Sequence, residues 1–428
     1  MIDPSISRRA FMAGSAATLL TSPLRAQTPG VYPAAAFVDS VGVNTHLNSE
    51  PYASRFELVR DLLAAAHIRH VRDELRPRTN LKPWRELFET HGIKSQLLVS
   101  PATNTVQQML DTLEALGAEK VSAIEGQNEG NSEWFMAQTA ARGNWAATVT
   151  AYQREVFQAL RARYPAAALP IVSPSVLDWK PDGMEAIREC AAFCDTVAIH
   201  SYAQHGEEPE TDAPYAALSW YLRTMRDRFK PGAPVMATET GYNNIVRAGG
   251  AGVSEAAAAA YIPRLLLNNF AHGVRRTYLY ELLDEGESPE DGEHHWGLVR
   301  YDRTPKPAYH ALSAMLQALS EEQGTASPPA KTVAAALTGA PPEARMLQFR
   351  KADGSTVAAI WRAIPCWDAT AARDIPVEVL PLTMELDGPV SSAAFTIPGE
   401  STAWTELAVS GKTIAVPAGA NVVIVRVT

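Results

Sequence analysis

The sequence predicts an α/β protein, a closed (β/α)8 TIM barrel followed by an antiparallel β-sandwich domain. Three observations carry that reading. Eight short β-like runs alternate with helical stretches between residues 37 and 284, the pattern of parallel strands joined by crossover helices. An open doubly wound sheet would usually bring a glycine-rich phosphate turn after an early strand, and none is present. Beyond residue 325 the texture changes to short β-like runs separated by Gly, Pro, Asp and Ser, as in sandwiches.

Taken in order, the 428 residues begin with Ser7–Met12 (SRRAFM), an apolar run from Met12 to Leu20, and a cleavage-like Leu24-Arg25-Ala26. This resembles a twin-arginine signal peptide, so residues 1–26 are expected to be removed on export and the protein to work in the periplasm or outside the cell. Those residues carry Arg8, Arg9, Arg25 and Asp3, so their loss takes the formal charge from −9 to −11. An acidic chain of this kind lacks the basic face of a nucleic-acid binder. No other segment approaches the roughly 18 apolar residues of a membrane span.

The barrel is expected over residues 27–325. Its strands are read at 37–47 (FVDSVGVNTHL), 68–75 (IRHVRDEL), 93–100 (IKSQLLVS), 121–129 (VSAIEGQNE), 169–176 (LPIVSPSV), 195–202 (DTVAIHSY), 233–241 (APVMATETG) and 276–284 (RTYLYELLD). Helices intervene. RFELVRDLLAAAH precedes the second strand, AATVTAYQREVFQALRARYP the fifth, and EAAAAAYIPRLLLNNFAHG the eighth, the last ending in a glycine stop, with apolar residues spaced by three and four. A linker-like SEEQGTASPPAKT leads to the sandwich at 326–428, with strands at RMLQFR, STVAAIWR, PVEVLPLTMEL, SAAFTI and NVVIVRV. Three cysteines, Cys190, Cys194 and Cys366, are too few for a disulfide framework and read as buried thiols.

Function in such a barrel sits at the C-terminal strand ends. The first strand ends in Asn44-Thr45-His46 and the second carries Arg72, Asp73 and Glu74. The fourth ends in Asn128-Glu129, the sixth in His200-Ser201-Tyr202 and the seventh in Thr238-Glu239-Thr240. The eighth bears Tyr278, Tyr280, Glu281 and Asp284. Burying so many polar groups as mere packing would cost kilocalories each. Strands four and seven stand nearly opposite, each ending in a glutamate. Two carboxylates across a pocket suit glycosidic cleavage, one protonating the leaving oxygen and the other attacking or supporting the anomeric carbon. Glu125, inside strand four, reads as a structural ion-pair partner.

Asn128-Glu129 on strand four and Glu239 on strand seven resemble the signature of the clan A glycoside hydrolases, retaining (β/α)8 enzymes. The added β-domain is most similar to that of family thirty-nine and its relatives, and HHWGLVRYDRTPKPAYHAL at 294–312 looks like the segment that closes many such barrels. The resemblance implies Glu129 as general acid/base, Glu239 as nucleophile and Asn128 as partner of the sugar 2-hydroxyl. It further implies Arg72 and Tyr202 holding Glu239 ionised, His200 supporting a carboxylate or a sugar hydroxyl, and no cofactor or metal. One departure stands out: many clan members place a tryptophan on strand eight beneath the sugar, whereas this chain has Tyr278 and Tyr280 there.

Trp134, Trp179 and Trp296 follow strand ends and offer aromatic faces to a sugar ring. His46, Tyr280 and Glu281 complete the substrate-binding candidates. The expected activity is a secreted glycosidase acting by double displacement on oligo- or polysaccharides, exopolysaccharide included. The alternative is a non-catalytic carbohydrate-binding barrel, which would tolerate loss of either glutamate.

Overall fold

The computed structural model describes residues 30–77, 79–139, 144–177, 182–321 and 333–428; the export-signal expectation at 1–26 and Trp179 lie outside them. The eight barrel strands are Val41–Asn44, His70–Glu74, Lys94–Leu98, Val121–Glu125, Ile171–Val172, Val197–His200, Val235–Thr240 and Val274–Leu279, all neighbours pairing in parallel. The sheet runs from the fifth strand through the first to the sixth, and a parallel bridge between Val172 and Thr196 joins its two ends. Every one of the eight predicted strands is therefore present.

Local chemistry explains the helices between them. Thr105 and Gln108 form a reciprocal capping box on Val106–Leu116, answering two of the N–H groups that a helix start leaves unpaired. Asn144 caps Trp145–Arg161 and Ser254 caps Glu255–Ala271. Inside the barrel, Ala123, Val172, Ala198 and Met236 form a small inner layer. Gly42 lies against the Tyr278 ring, where a Cβ would come within 2.5 Å of Cδ1.

Two boundaries differ from the sequence reading. Ala34–Asp39 is a helix, so the first strand begins only at Val41; Phe37 and Val38 bury their side chains on that helix, an apolar pair that resembles strand texture. Val31–Pro33 pairs in parallel with Gln348–Arg350, so the chain enters the barrel from an edge of the sandwich.

The sandwich comprises a six-stranded sheet, which Val31–Pro33 joins, and a four-stranded sheet. Ile360, Val425, Met384 and Val416 are among the side chains packed between them. It is fastened to the barrel at several points. Phe37, Phe270 and Phe349 meet in edge-on and tilted contacts with ring centroids 5.3–6.1 Å apart. Arg264 on Glu255–Ala271 pairs with Glu210 and donates to Ile364 O, and Trp361 Nε1 donates to Glu210 Oε1 at 2.7 Å. The three cysteines are free and buried. Among the described residues no helix is long and apolar enough to cross a membrane.

Candidate active site

Parallel closure brings the C-terminal strand ends to one rim, around a cavity of about 600 Å³. Its floor is organised by Arg72. The guanidinium, 3% exposed, donates through Nε and Nη2 to the two oxygens of Glu125, through Nη1 to Asn44 Oδ1 and Glu239 Oε1, and through Nη2 to Asn128 Oδ1, all at 2.7–3.0 Å. Glu125 also accepts from Gln96 Nε2 at 2.6 Å. One cation is thus shared by two carboxylates, the arrangement that makes a buried charge tolerable, and Glu125 is the structural partner expected from its place inside the strand.

Glu239 is held by Arg72, by the Tyr202 hydroxyl at 3.1 Å, and by His200 Nδ1 at 3.5 Å from Oε2. Burial pushes its carboxyl up, but the charges of His200 and Arg72 and the hydrogen bonds of Arg72 and Tyr202 outweigh that and hold it below the usual carboxylate range. His200, fully enclosed, is bonded to Glu129 Oε1 at 2.9 Å. Burial pushes the imidazole down, yet the charge of Glu239 and the bond and charge of Glu129 push it further up. One carboxylate oxygen of Glu129, one of Glu239 and a ring nitrogen of His200 lie within 4.8 Å of one another. Glu129 takes a left-handed backbone, φ 42°, uncommon for a non-glycine residue, and its N–H donates to Ser175 Oγ at 2.9 Å. Upstream, Gly126 lets the chain pass close to Gln153: a Cβ there would meet its Oε1 at 2.3 Å.

Around this centre, His46, Asn128, Trp134, Tyr202, Tyr280 and Trp296 line the cavity. Trp296 packs edge-on against Tyr202 at 5.1 Å and Tyr280 at 6.3 Å, so a tryptophan from the segment after strand eight joins two tyrosines on the cavity wall. Trp134 is 55% exposed at the mouth. Burial lowers His46 to about 4, so it is neutral near pH 7.

Glu281 does not line the cavity. It lies behind it, fully buried, accepting from Tyr52 at 2.7 Å, with His46 Nε2 3.4 Å from Oε2. Burial and the neighbouring Glu285 push its carboxyl well up. Asp284 pairs with Lys306 at 2.8 Å. His46, Glu281 and Glu285 also offer ligand atoms within 4.8 Å of one another.

The cavity includes residues the sequence reading did not single out: Tyr242, Asn243 and Glu293. The first two follow strand seven directly in ETGYNN, and their position past a functional strand end was a usable signal. Glu293 sits on the turn Gly292–His295, within a polar stretch that carries no periodicity. The turn is tied to the loop after strand seven by Asn243 Nδ2 donating to Gly292 O and by Asn244 N donating to His295 O at 3.1 Å.

No protein-family model matches the sequence, and no curated protein matches it. Solved structures do match. A family 39 glycoside hydrolase from the gut symbiont Bacteroides cellulosilyticus WH2 is similar at TM-score 0.61 and 16% identity, over 94% of this chain and 83% of that one. A glucosidase from Croceicoccus marinus is similar at TM-score 0.59 and 13% identity, over 86% of this chain and 91% of that one. The barrel-plus-sandwich architecture expected from the sequence is the architecture observed, and these two structures share that fold.

Proposed function

We propose that the protein is a retaining glycoside hydrolase acting on oligo- or polysaccharides by double displacement. The observation that carries the reading is the approach of Glu129 and Glu239, whose nearest carboxylate oxygens stand within 4.8 Å across a sugar-sized cavity. Retaining enzymes keep their carboxyl groups about 5–5.5 Å apart, and a wider gap is needed to admit water directly. The similarity to two glycosidase structures supports the same class.

In this reading Glu239, kept ionised by Arg72 and Tyr202, attacks the anomeric carbon. Glu129 gives its proton to the leaving oxygen, so one C–O bond forms as another breaks. Water then enters, Glu129 takes its proton, and the glycosyl ester to Glu239 is cleaved. His200, bonded to Glu129, shares the proton that Glu129 gives and recovers. Asn128, aligned by Arg72 and Ser175, faces the sugar hydroxyl next to the reacting carbon, and Trp134 and Trp296 offer ring faces to the glycan. The twin-arginine pattern at Arg8-Arg9 supports export, which places the reaction outside the cytoplasm.

The test is covalent trapping. A 2-fluoro glycosyl inactivator matched to a cleaved glycan should add one sugar to the peptide containing Glu239, and Glu239→Gln should abolish both labelling and turnover. Cleavage that survives in Glu239→Gln at the wild-type rate would overturn the assignment.

A further inference from the structure

The ionisable side chains lining the cavity are mostly acidic. The described walls carry five acidic side chains, Asp73, Glu74, Glu129, Glu239 and Glu293, and one permanent cation, Arg72. A guanidinium has five N–H donors, and all five of Arg72 are engaged, two by Glu125 and one each by Asn44, Glu239 and Asn128. None remains for a substrate carboxylate. His46 is neutral near pH 7. Arg76 points both Nε and Nη2 at Glu74 Oε2, so its charge is paired with that carboxylate. Glu293 completes the acidic wall from the turn that Asn243 and Asn244 tie down, so its position does not depend on a free loop.

We infer that the cavity rejects acidic sugar units, that the units seated in it are neutral or carry an amino group, and that Glu293 is a specificity-determining residue. Sugar hydroxyls donate to carboxylates and an ammonium pairs with them, whereas a uronate meets like charge, and among the described lining residues the one guanidinium is already fully engaged. Burial and the charges of Asp291, Glu239, Glu285 and Glu129 push the Glu293 carboxyl upward, so where it holds a proton it still donates to a hydroxyl. The inference rests on the glycosidase reading for the kind of ligand, and the experiment separates the two.

Full-length wild type, Glu293→Gln and Glu293→Lys, each checked for a wild-type melting transition, would be run through affinity gels at physiological ionic strength. The gels contain arabinoxylan, galactomannan, laminarin, chitosan, alginate or polygalacturonate, and new reducing ends are assayed in parallel. At least one neutral or amino polymer should be bound and cut, and the two polyuronates neither. Glu293→Lys should gain about tenfold in polyuronate affinity, with a smaller gain for Glu293→Gln, which keeps the side-chain size if the lysine variant fails to fold. A polyuronate bound or cut better than every neutral and amino polymer overturns the inference, as does wild-type polyuronate affinity in every Glu293 variant that folds. Binding of a neutral polymer without cleavage sustains the inference and removes the hydrolase reading. Retention on no polymer removes both.

Discussion

Arg72 Nη1 stands 2.8 Å from Glu239 Oε1 while Nε and Nη2 of the same guanidinium reach both oxygens of Glu125. A planar fork can serve two carboxylates at fixed angles, and an ammonium point charge cannot. The link joins strand two to strands four and seven, so the geometry of the floor and the ionisation of Glu239 depend on one side chain.

Arg72→Lys should therefore lower kcat/KM by about 10²-fold, the scale of losing one preorganised electrostatic contact. It should also change the pH profile. In the proposed reaction Glu239 attacks only as the anion, and its carboxyl is held below 4.5 because the charges of His200 and Arg72 and the bonds of Arg72 and Tyr202 outweigh burial. Wild-type activity is thus retained as the medium is acidified through the ordinary carboxylate range. Weakening the Arg72 contribution raises that pKa, so the acid limb moves to higher pH. An unmoved acid limb in the Arg72→Lys enzyme would show that Arg72 does not hold Glu239 ionised.

His200 should govern the other limb. Its pKa is raised above 6.5 by Glu239 and Glu129 in spite of burial, so the imidazole keeps its proton beyond the ordinary histidine range and loses it as pH rises further. A lone carboxylic acid gives up its proton at lower pH than an imidazole. His200→Asn should shift the basic limb of kcat/KM downward and reduce the maximum by about tenfold or more. Unchanged limbs with only a lower plateau would assign His200 a packing role.

The barrel could be read from the sequence because eight apolar strand runs and their helices repeat a physical requirement, burial of a parallel sheet on both faces. The Glu129 and Glu239 positions could be read because each interrupts apolar texture at a strand end. The N-terminal strand could not: Val31–Pro33 is three residues long, and its partner lies over 300 residues away at Gln348–Arg350. Glu281 was misplaced for a local reason. It follows the end of strand eight, as a substrate-binding group would, but the chain turns it behind the cavity toward Tyr52. Glu293 offered no pattern, since only the tertiary tie through Asn243 and Asn244 aims its turn at the cavity.

That placement of Glu281 gives a prediction about stability. Burial and Glu285 raise its folded-state carboxyl well above 4.5, so between its unfolded and folded pKa values the unfolded chain binds fewer protons. Stability is then lost as pH rises through that window. Glu281→Gln removes the titration and keeps an oxygen to accept from Tyr52. Its melting temperature relative to wild type should rise steadily from pH 4.5 toward neutrality. A difference that stays flat with pH would mean that Glu281 is ionised in the folded protein.

The join between sandwich and barrel should be as sensitive as a core. Arg264 is fully buried, and its partner Glu210 also accepts from Trp361 of the sandwich at 2.7 Å. Removing one member of a buried pair leaves the other charged and unpaired, at a cost of about 3–5 kcal/mol. Arg264→Ala should therefore lower the stability of the whole chain by that order in urea denaturation. Arg264→Met with Glu210→Gln, which removes both charges, should recover most of the loss. Because Ile364 O and Glu210 are held by the same guanidinium, sandwich and barrel should unfold in one transition in the wild type, monitored by tryptophan fluorescence and circular dichroism. Two separated transitions in the wild type would show that the contact does not couple them.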